Sequence, residues 1–137
     1  MTILSRKGVL AVAAVTDIAM HTGKRPVSAR TLAARHGLAP RHLEPVLQAL
    51  VREGVLRGVR GPGGGYEIAR DKREITAEEI VRIVDAAEPD AAGIAKSVSP
   101  LLLNVVIPTV AQAEQAFSQV LTKISIDDLV RIAGTLV

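Results

Sequence analysis

The predicted fold class is mainly α (α+β): a set of helices interrupted by one small β-hairpin. Three observations predict it. Apolar residues recur at helical spacing, as at Leu43, Val46, Leu47, Leu50 and Val51, which form one face to pack on a core. A Gly-rich run, Val59-Arg60-Gly61-Pro62-Gly63-Gly64-Gly65-Tyr66, lies between the short runs Val55-Leu56 and Tyr66-Glu67-Ile68. That is the pattern of a hairpin whose turn needs unusual φ/ψ angles and close backbone approach. Immediately upstream stands a helix–Gly–helix pattern of helix-turn-helix length. Two helices followed by a basic Gly-rich hairpin make a winged helix-turn-helix.

The elements follow in order. A first helix is expected from Ser5 to Met20, with Gly23 and Lys24 beyond its end. Pro26-Val27 is short and extended, placed to pair with the hairpin. Ser28 is an N-cap for a second helix over Ala29–His36, which Gly37 terminates. The third helix starts near Pro40, tolerated at a first helical position, and runs to Gly54. Pro45 is awkward there: the helix begins late or kinks at it. After the hairpin, Asp71-Lys72-Arg73-Glu74 is a polar connector, and Thr76-Ala77-Glu78-Glu79 is a capping box. The fourth helix carries Ile80, Val81, Ile83 and Val84 and ends near Glu88-Pro89.

Residues 89–99 lack hydrophobic periodicity and read as a loop. Ser99-Pro100 can open a further helix, which Pro108 kinks or restarts. From there Val110, Ala113, Phe117, Val120 and Ile124 step by 3, 4, 3 and 4, a short seam of the kind found where two helices pair lengthwise. Such a seam can pack within one chain. A small winged domain has little spare surface for it, so dimerisation is the favoured reading. Ser125-Ile126-Asp127-Asp128 caps a last helix holding Leu129, Ile132 and Leu136. The organisation expected is a winged helix-turn-helix domain over 1–88, a loop over 89–99, and a helical dimerisation region over 100–137 with a long C-terminal helix.

Composition narrows the function. Nearly half of the 137 residues are apolar, yet the aromatic ones are only Tyr66 and Phe117, so the core must be built from Val, Ile, Leu and Ala. There is no cysteine, which excludes disulfides, thiolate switching and cysteine-ligated zinc or clusters. The run Val9–Val15 after Arg6-Lys7 superficially resembles a signal peptide. It continues straight into Thr16-Asp17 without a cleavage site and is far too short to span a bilayer, so a buried helix in a cytosolic protein is expected. The net charge of +3 is uneven: residues 1–76 hold 13 Lys/Arg against 6 Asp/Glu, whereas residues 77–137 hold 4 against 8. A basic half fused to an acidic half suggests a nucleic-acid end and a partner end.

The glycines do not make a nucleotide site. A P-loop requires Lys-Ser/Thr and a helix after its last glycine, and Tyr66-Glu67 follows here; the spacing of Gly61, Gly63, Gly64 and Gly65 is not a dinucleotide fingerprint either. In a helix-turn-helix the N-terminal part of the second helix enters the major groove. Arg41 there can address guanine or a phosphate, Glu44 can accept from cytosine, and His42 can do either job. His21, His36 and His42 have no metal-ligand spacing to one another, so no metal or cofactor is expected. Nucleophile–base pairs and carboxylate dyads are equally missing at interpretable spacing, which argues against an enzyme.

Ser5-Arg6-Lys7-Gly8, Leu43-Glu44, the wing Arg60-Gly61-Pro62-Gly63-Gly64-Gly65-Tyr66, Ala69-Arg70 and Ile75-Thr76 together resemble the Rrf2 type of bacterial transcription regulators. The resemblance covers nearly the whole chain, and the wing motif is highly specific. It implies homodimeric winged-helix proteins in which a long C-terminal helix forms the dimer and the wing arginine enters the minor groove. Carried over, Arg60 is the wing arginine, with Gly61 and Gly63 beside it at the DNA. Arg41, His42 and Glu44 face bases; Ser5, Lys7 and Ser28 match backbone-contacting positions. Cluster-binding relatives place three cysteines where this chain has Asp90-Ala91-Ala92-Gly93-Ile94-Ala95, so their sensing chemistry does not transfer. The expectation is a homodimeric regulator of double-stranded DNA, more a repressor than an activator, answering to a small-molecule or protein effector of unknown identity. The alternative is an adaptor that uses the winged helix against an acidic protein.

Overall fold

The computed structural model describes residues 6–87 and 99–136. Ser5, residues 89–98 of the expected loop and the Asp90–Ala95 stretch lie outside the described residues. The elements are α1 (Arg6–Met20), α2 (Ala29–His36), α3 (Pro40–Arg52), β1 (Leu56–Val59), β2 (Gly65–Ile68), α4 (Ala77–Ala87), a π-helical turn (Leu102–Val106), α5 (Ile107–Thr122) and α6 (Ile126–Thr135). Strands β1 and β2 form an antiparallel hairpin in the register Leu56↔Ile68, Arg57↔Glu67, Gly58↔Tyr66 and Val59↔Gly65. No helix among the described residues is long and apolar enough to cross a membrane.

The core is aliphatic, as two aromatic residues in 137 require. Val15 and Ile18 of α1, Leu32 of α2, Leu47 and Leu50 of α3, Leu56 of β1 and Ile80 and Val84 of α4 are fully enclosed. Tyr66 only packs against this core from its edge. Ile126 of α6 is also completely buried in it. Enclosing an isoleucine contributes about 2 kcal/mol, enough to seat α6 against α1.

The prolines resolve differently. Pro45 neither delays nor ends its helix: α3 begins at Pro40 and runs through it. Pro45 has no N–H, so the Arg41 carbonyl loses its helical partner there. At Pro108 the helix restarts. Its ring presses on the carbonyl four residues back, and the wider π turn over Leu102–Val106 precedes α5.

The two predicted helix caps also differ. At α6 the box is complete: Ser125 Oγ accepts the Asp128 N–H at 3.0 Å and Asp128 accepts the Ser125 N–H at 3.0 Å. Those bonds hold the Asp128 carboxyl below its ordinary pKa. At α4, Thr76 accepts the Glu79 N–H at 3.1 Å, but the Glu79 carboxylate pairs with Arg70 in place of the reciprocal arm. A two-bond bridge links the caps: Ile126 N–H donates to Ile75 at 2.8 Å and Ala77 N–H to Ile124 at 2.9 Å.

One charged residue lies in the core. Asp17 is 9% exposed in the middle of apolar α1, and it gathers groups from the end of α2. Arg35 donates to its Oδ1 at 2.5 Å and His36 Nε2 lies 3.0 Å from its Oδ2. A carboxylate only accepts, so His36 must carry hydrogen on Nε2. One turn on, His21 Nδ1 sits 2.7 Å from the Asp17 carbonyl oxygen and likewise donates. Asp17→Ala, which strands the Arg35 and His36 donors, is expected to lower unfolding free energy in urea by about 2 kcal/mol. Glu53→Ala, at an exposed and unpaired site, should stay within about 0.5 kcal/mol. Equal midpoints for the two variants would remove Asp17 as the link between α1 and α2.

Candidate nucleic-acid interface

The turn between α2 and α3 is built from local chemistry. Ser28, extended at φ −74° and ψ 155°, accepts the Thr31 N–H at 3.1 Å and donates its hydroxyl hydrogen to Thr31 Oγ1 at 2.9 Å. Gly37 closes α2 in the left-handed region at φ 68°, and the Leu38 N–H returns to the Ala33 carbonyl at 2.9 Å. The chain then re-enters a helix at Pro40 with Leu43, Val46, Leu47 and Leu50 facing inward. Arg41, His42 and Glu44 are left exposed on the first turns of α3. None of these three side chains has a hydrogen bond or ion pair among the described residues.

Gln48, one turn further along that face, is engaged: its Nε2 donates to the Tyr66 hydroxyl at 3.3 Å, tying α3 to the hairpin. The hairpin is also fastened on its other side. Val27 and Tyr66 exchange both backbone bonds, at 3.0 and 2.8 Å, so the expected Pro26-Val27 strand is a single bridge. The wing thus has a fixed direction relative to α3.

Its glycines divide into two kinds. Gly61 and Gly63 have φ of 95° and 76°, so they turn the loop, and a Cβ on either would meet open space. Gly64 and Gly65 answer to contact: a Cβ would stand 2.2 Å from the Val59 carbonyl oxygen at Gly64 and 2.5 Å from the Val27 backbone at Gly65. The close approach read from the run is therefore made to the chain's own backbone. Arg60, at the loop mouth, is exposed and unpaired among the described residues.

Ion pairing sorts the cations. Arg35, Arg57, Arg70 and Arg73 are paired with Asp17, Glu67, Glu79 and Asp71. The last pair holds the Asp71 carboxyl down to about 2 through the Arg73 side-chain hydrogen bonds. Arg6, Lys24, Arg25, Arg30, Arg41 and Arg60 have no such partner among the described residues. Of these, Arg6 and Arg41 line one groove between the starts of α1 and α3, together with Lys7 and His42. Lys7 is half-buried on the first turn of α1.

The donor set does not fit an iron–sulfur cluster. The sequence has no thiol, two of its three histidines are held on Asp17, and the described residues hold no group of three His, Asp or Glu side chains placed for a metal. Sequence reasoning had passed over Asp17. A lone acid inside the apolar α1 pattern was the available signal.

A family model described as Rrf2, iron-dependent transcriptional regulator, matches residues 4–132. The regulator IscR of Photorhabdus laumondii is 38% identical over 82 residues, which are 60% of this chain and 50% of that protein. The chain thus spans about half the length of the curated relatives it matches. Among solved structures, T. potens IscR superposes with a TM-score of 0.73 at 29% identity, covering 95% of this chain and 87% of the other. The oxidised form of Staphylococcus aureus CymR gives 0.73 at 25% identity, covering 95% and 96%.

The two kinds of glycine can be told apart by substitution. Gly65→Ala should force β2 off Val27, costing about 1–3 kcal/mol and speeding hydrogen exchange at the Tyr66 and Val27 amides. Gly61→Ala should cost about 1–2 kcal/mol through its positive φ and leave those two amides protected. Protected amides in Gly65→Ala would refute the contact.

Proposed function

Since the chain belongs to the Rrf2 family of transcriptional regulators, we propose that it is a sequence-specific DNA-binding regulator. In this reading it is a homodimer that represses from an inverted-repeat operator without an iron–sulfur cluster. One observation carries it: Arg41, His42 and Glu44 stand unpaired on the exposed first turns of α3, beside a wing that presents Arg60.

The division of labour follows from chemistry. Arg6 and Arg30, which have no ion pair among the described residues, supply sequence-independent phosphate contacts together with Ser5 and Lys7. Ser28 has already given its hydroxyl hydrogen to Thr31, so its part lies in setting the start of α2. Arg41 offers a bidentate fork to guanine, Glu44 accepts from cytosine, and His42 reads either base edge or phosphate. Arg60 enters a narrow A·T-rich minor groove while Gly61 and Gly63, open to solvent, let the loop lie close to the sugar edges. Residues 1–88 form the DNA-binding unit, 89–99 the connection and 100–137 the pairing region.

The pairing region supports the dimer. α5 buries none of its residues. Val110, Ala113 and Val120 of the seam are exposed, Phe117 and Ile124 half-buried. The apolar surface continues upstream through Leu101, Leu103, Val105 and Val106, all exposed. A second copy along this face covers it and sets two α3 helices about one turn of DNA, or a multiple, apart.

Duplex affinity is expected to fall steeply with salt, log K dropping about 0.9 per phosphate neutralised for each tenfold rise. A flat salt response would instead support the adaptor reading. Arg60→Ala should weaken binding with fold and dimer intact. Arg41→Ala should relax one position per half-site by about 1–3 kcal/mol. Two mutants that bind every sequence as the parent does would refute the site. In light scattering, Val110→Asp with Val120→Asp should yield monomers with little operator affinity; a persistent dimer would place the interface elsewhere.

A further inference from the structure

Between the N-terminal turns of α1 and α3 lies an open groove of about 720 Å³. That is the size range of sites for small organic molecules. Leu10, Leu38 and Val46 are among the side chains of its apolar floor, and Pro45 stands in its wall. Its rim is formed by Arg6, Lys7, Arg41 and His42, and no acidic residue lines it. The side chains of Arg6, Arg41 and His42 have no partner among the described residues. An apolar floor under a rim with three cations, Arg6, Lys7 and Arg41, and no acid among the described residues is complementary to one kind of molecule: an apolar body bearing an anionic head.

We propose that this groove is a binding site for a small soluble amphipathic carboxylate, aromatic or medium-chain, whose head is held by Arg41 and Arg6. The site shares Arg41 and His42 with the base-reading face, so the ligand and DNA exclude each other. A chain with no cysteine thereby has a non-covalent way to be released from its operator. Only that consequence rests on the DNA reading; the ligand site stands on the groove itself.

The probe is anilinonaphthalene sulfonate, an apolar ring system with one anionic head, added to the full chain without DNA. It should bind with one saturable site per chain and be displaced by decanoate below its micellar concentration. Leu10→Glu, which sets an acid in the half-buried floor, should weaken probe binding about tenfold or more. Pro45→Trp, at an exposed position, should block the groove without adding charge, and circular dichroism melting checks that both variants fold. Arg60→Ala and Val120→Asp should bind the probe as the parent does. The proposal is overturned if Leu10→Glu and Pro45→Trp both keep parental probe affinity. It is equally overturned if Val120→Asp abolishes the signal, which would assign it to the exposed face of α5, or if only anionic vesicles and not free decanoate compete. In the parent, saturating decanoate should release duplex DNA. Probe binding in a protein without duplex affinity would refute the DNA reading and uphold the ligand site. Probe and duplex bound together would refute their exclusion.

Discussion

Asp17 occupies a position where a carboxylate is costly, nearly out of water on an otherwise apolar helix face. It is held there because Arg35 and His36 reach it from the end of α2, and because His21 closes the turn behind it. Removing Arg35 or His36 leaves a buried charge short of a partner, so these groups act as a unit. Its effect extends beyond local stability. The last turn of α2 is fixed on α1, the Gly37 turn starts from that fixed point, and α3 leaves the turn at a set angle. The direction of the exposed α3 face therefore depends on a carboxylate that never approaches that face.

The wing is oriented by a second, quite different constraint. Its backbone is locked at one edge by the Val27–Tyr66 bridge and on the α3 side by Gln48. Gly65 allows the first of these by having no side chain where Val27 passes. Orientation is thus set by backbone packing, leaving the tip residues free of structural duty. The same economy governs charge. Three arginine pairs stitch elements together: Asp17 holds Arg35, Glu67 holds Arg57 across the hairpin, and Glu79 of α4 holds Arg70 at the hairpin exit. Arg41 and Arg60 are left exposed on α3 and at the wing mouth, with no ion pair among the described residues.

The second half joins this scaffold more closely than a separate appendage does. Ile126 sits in the same core as Leu47 and Ile80, and the Ile75–Ile126 and Ala77–Ile124 bonds clasp the starts of α4 and α6 together. α5 lies between these anchors, bound to the core at its end and exposed along its apolar length. α5 packs on α4, and Glu79 of α4 pairs with Arg70 at the hairpin exit.

Much of this was legible from residue order alone, because it depends on local chemistry. Ser28 and Gly37 bracket α2, the Ser125 box opens α6, and the glycine run makes a hairpin; each rests on backbone geometry or hydrogen bonds within a few residues. The exposure of Arg41, His42 and Glu44 followed from the apolar periodicity of α3 in the same way. What residue order could not decide were the partnerships between distant segments. Two prolines that break the helical hydrogen-bond pattern behave differently: Pro45 sits inside α3, whereas Pro108 stands at the start of α5, just after a π turn. Glu79 prefers Arg70 to its own cap because β2 delivers the guanidinium there. Asp17 is a structural centre because α2 brings an arginine and a histidine to it, 18 and 19 residues away. Local propensity is written in neighbouring residues, whereas a charge finds its partner only after the helices have packed.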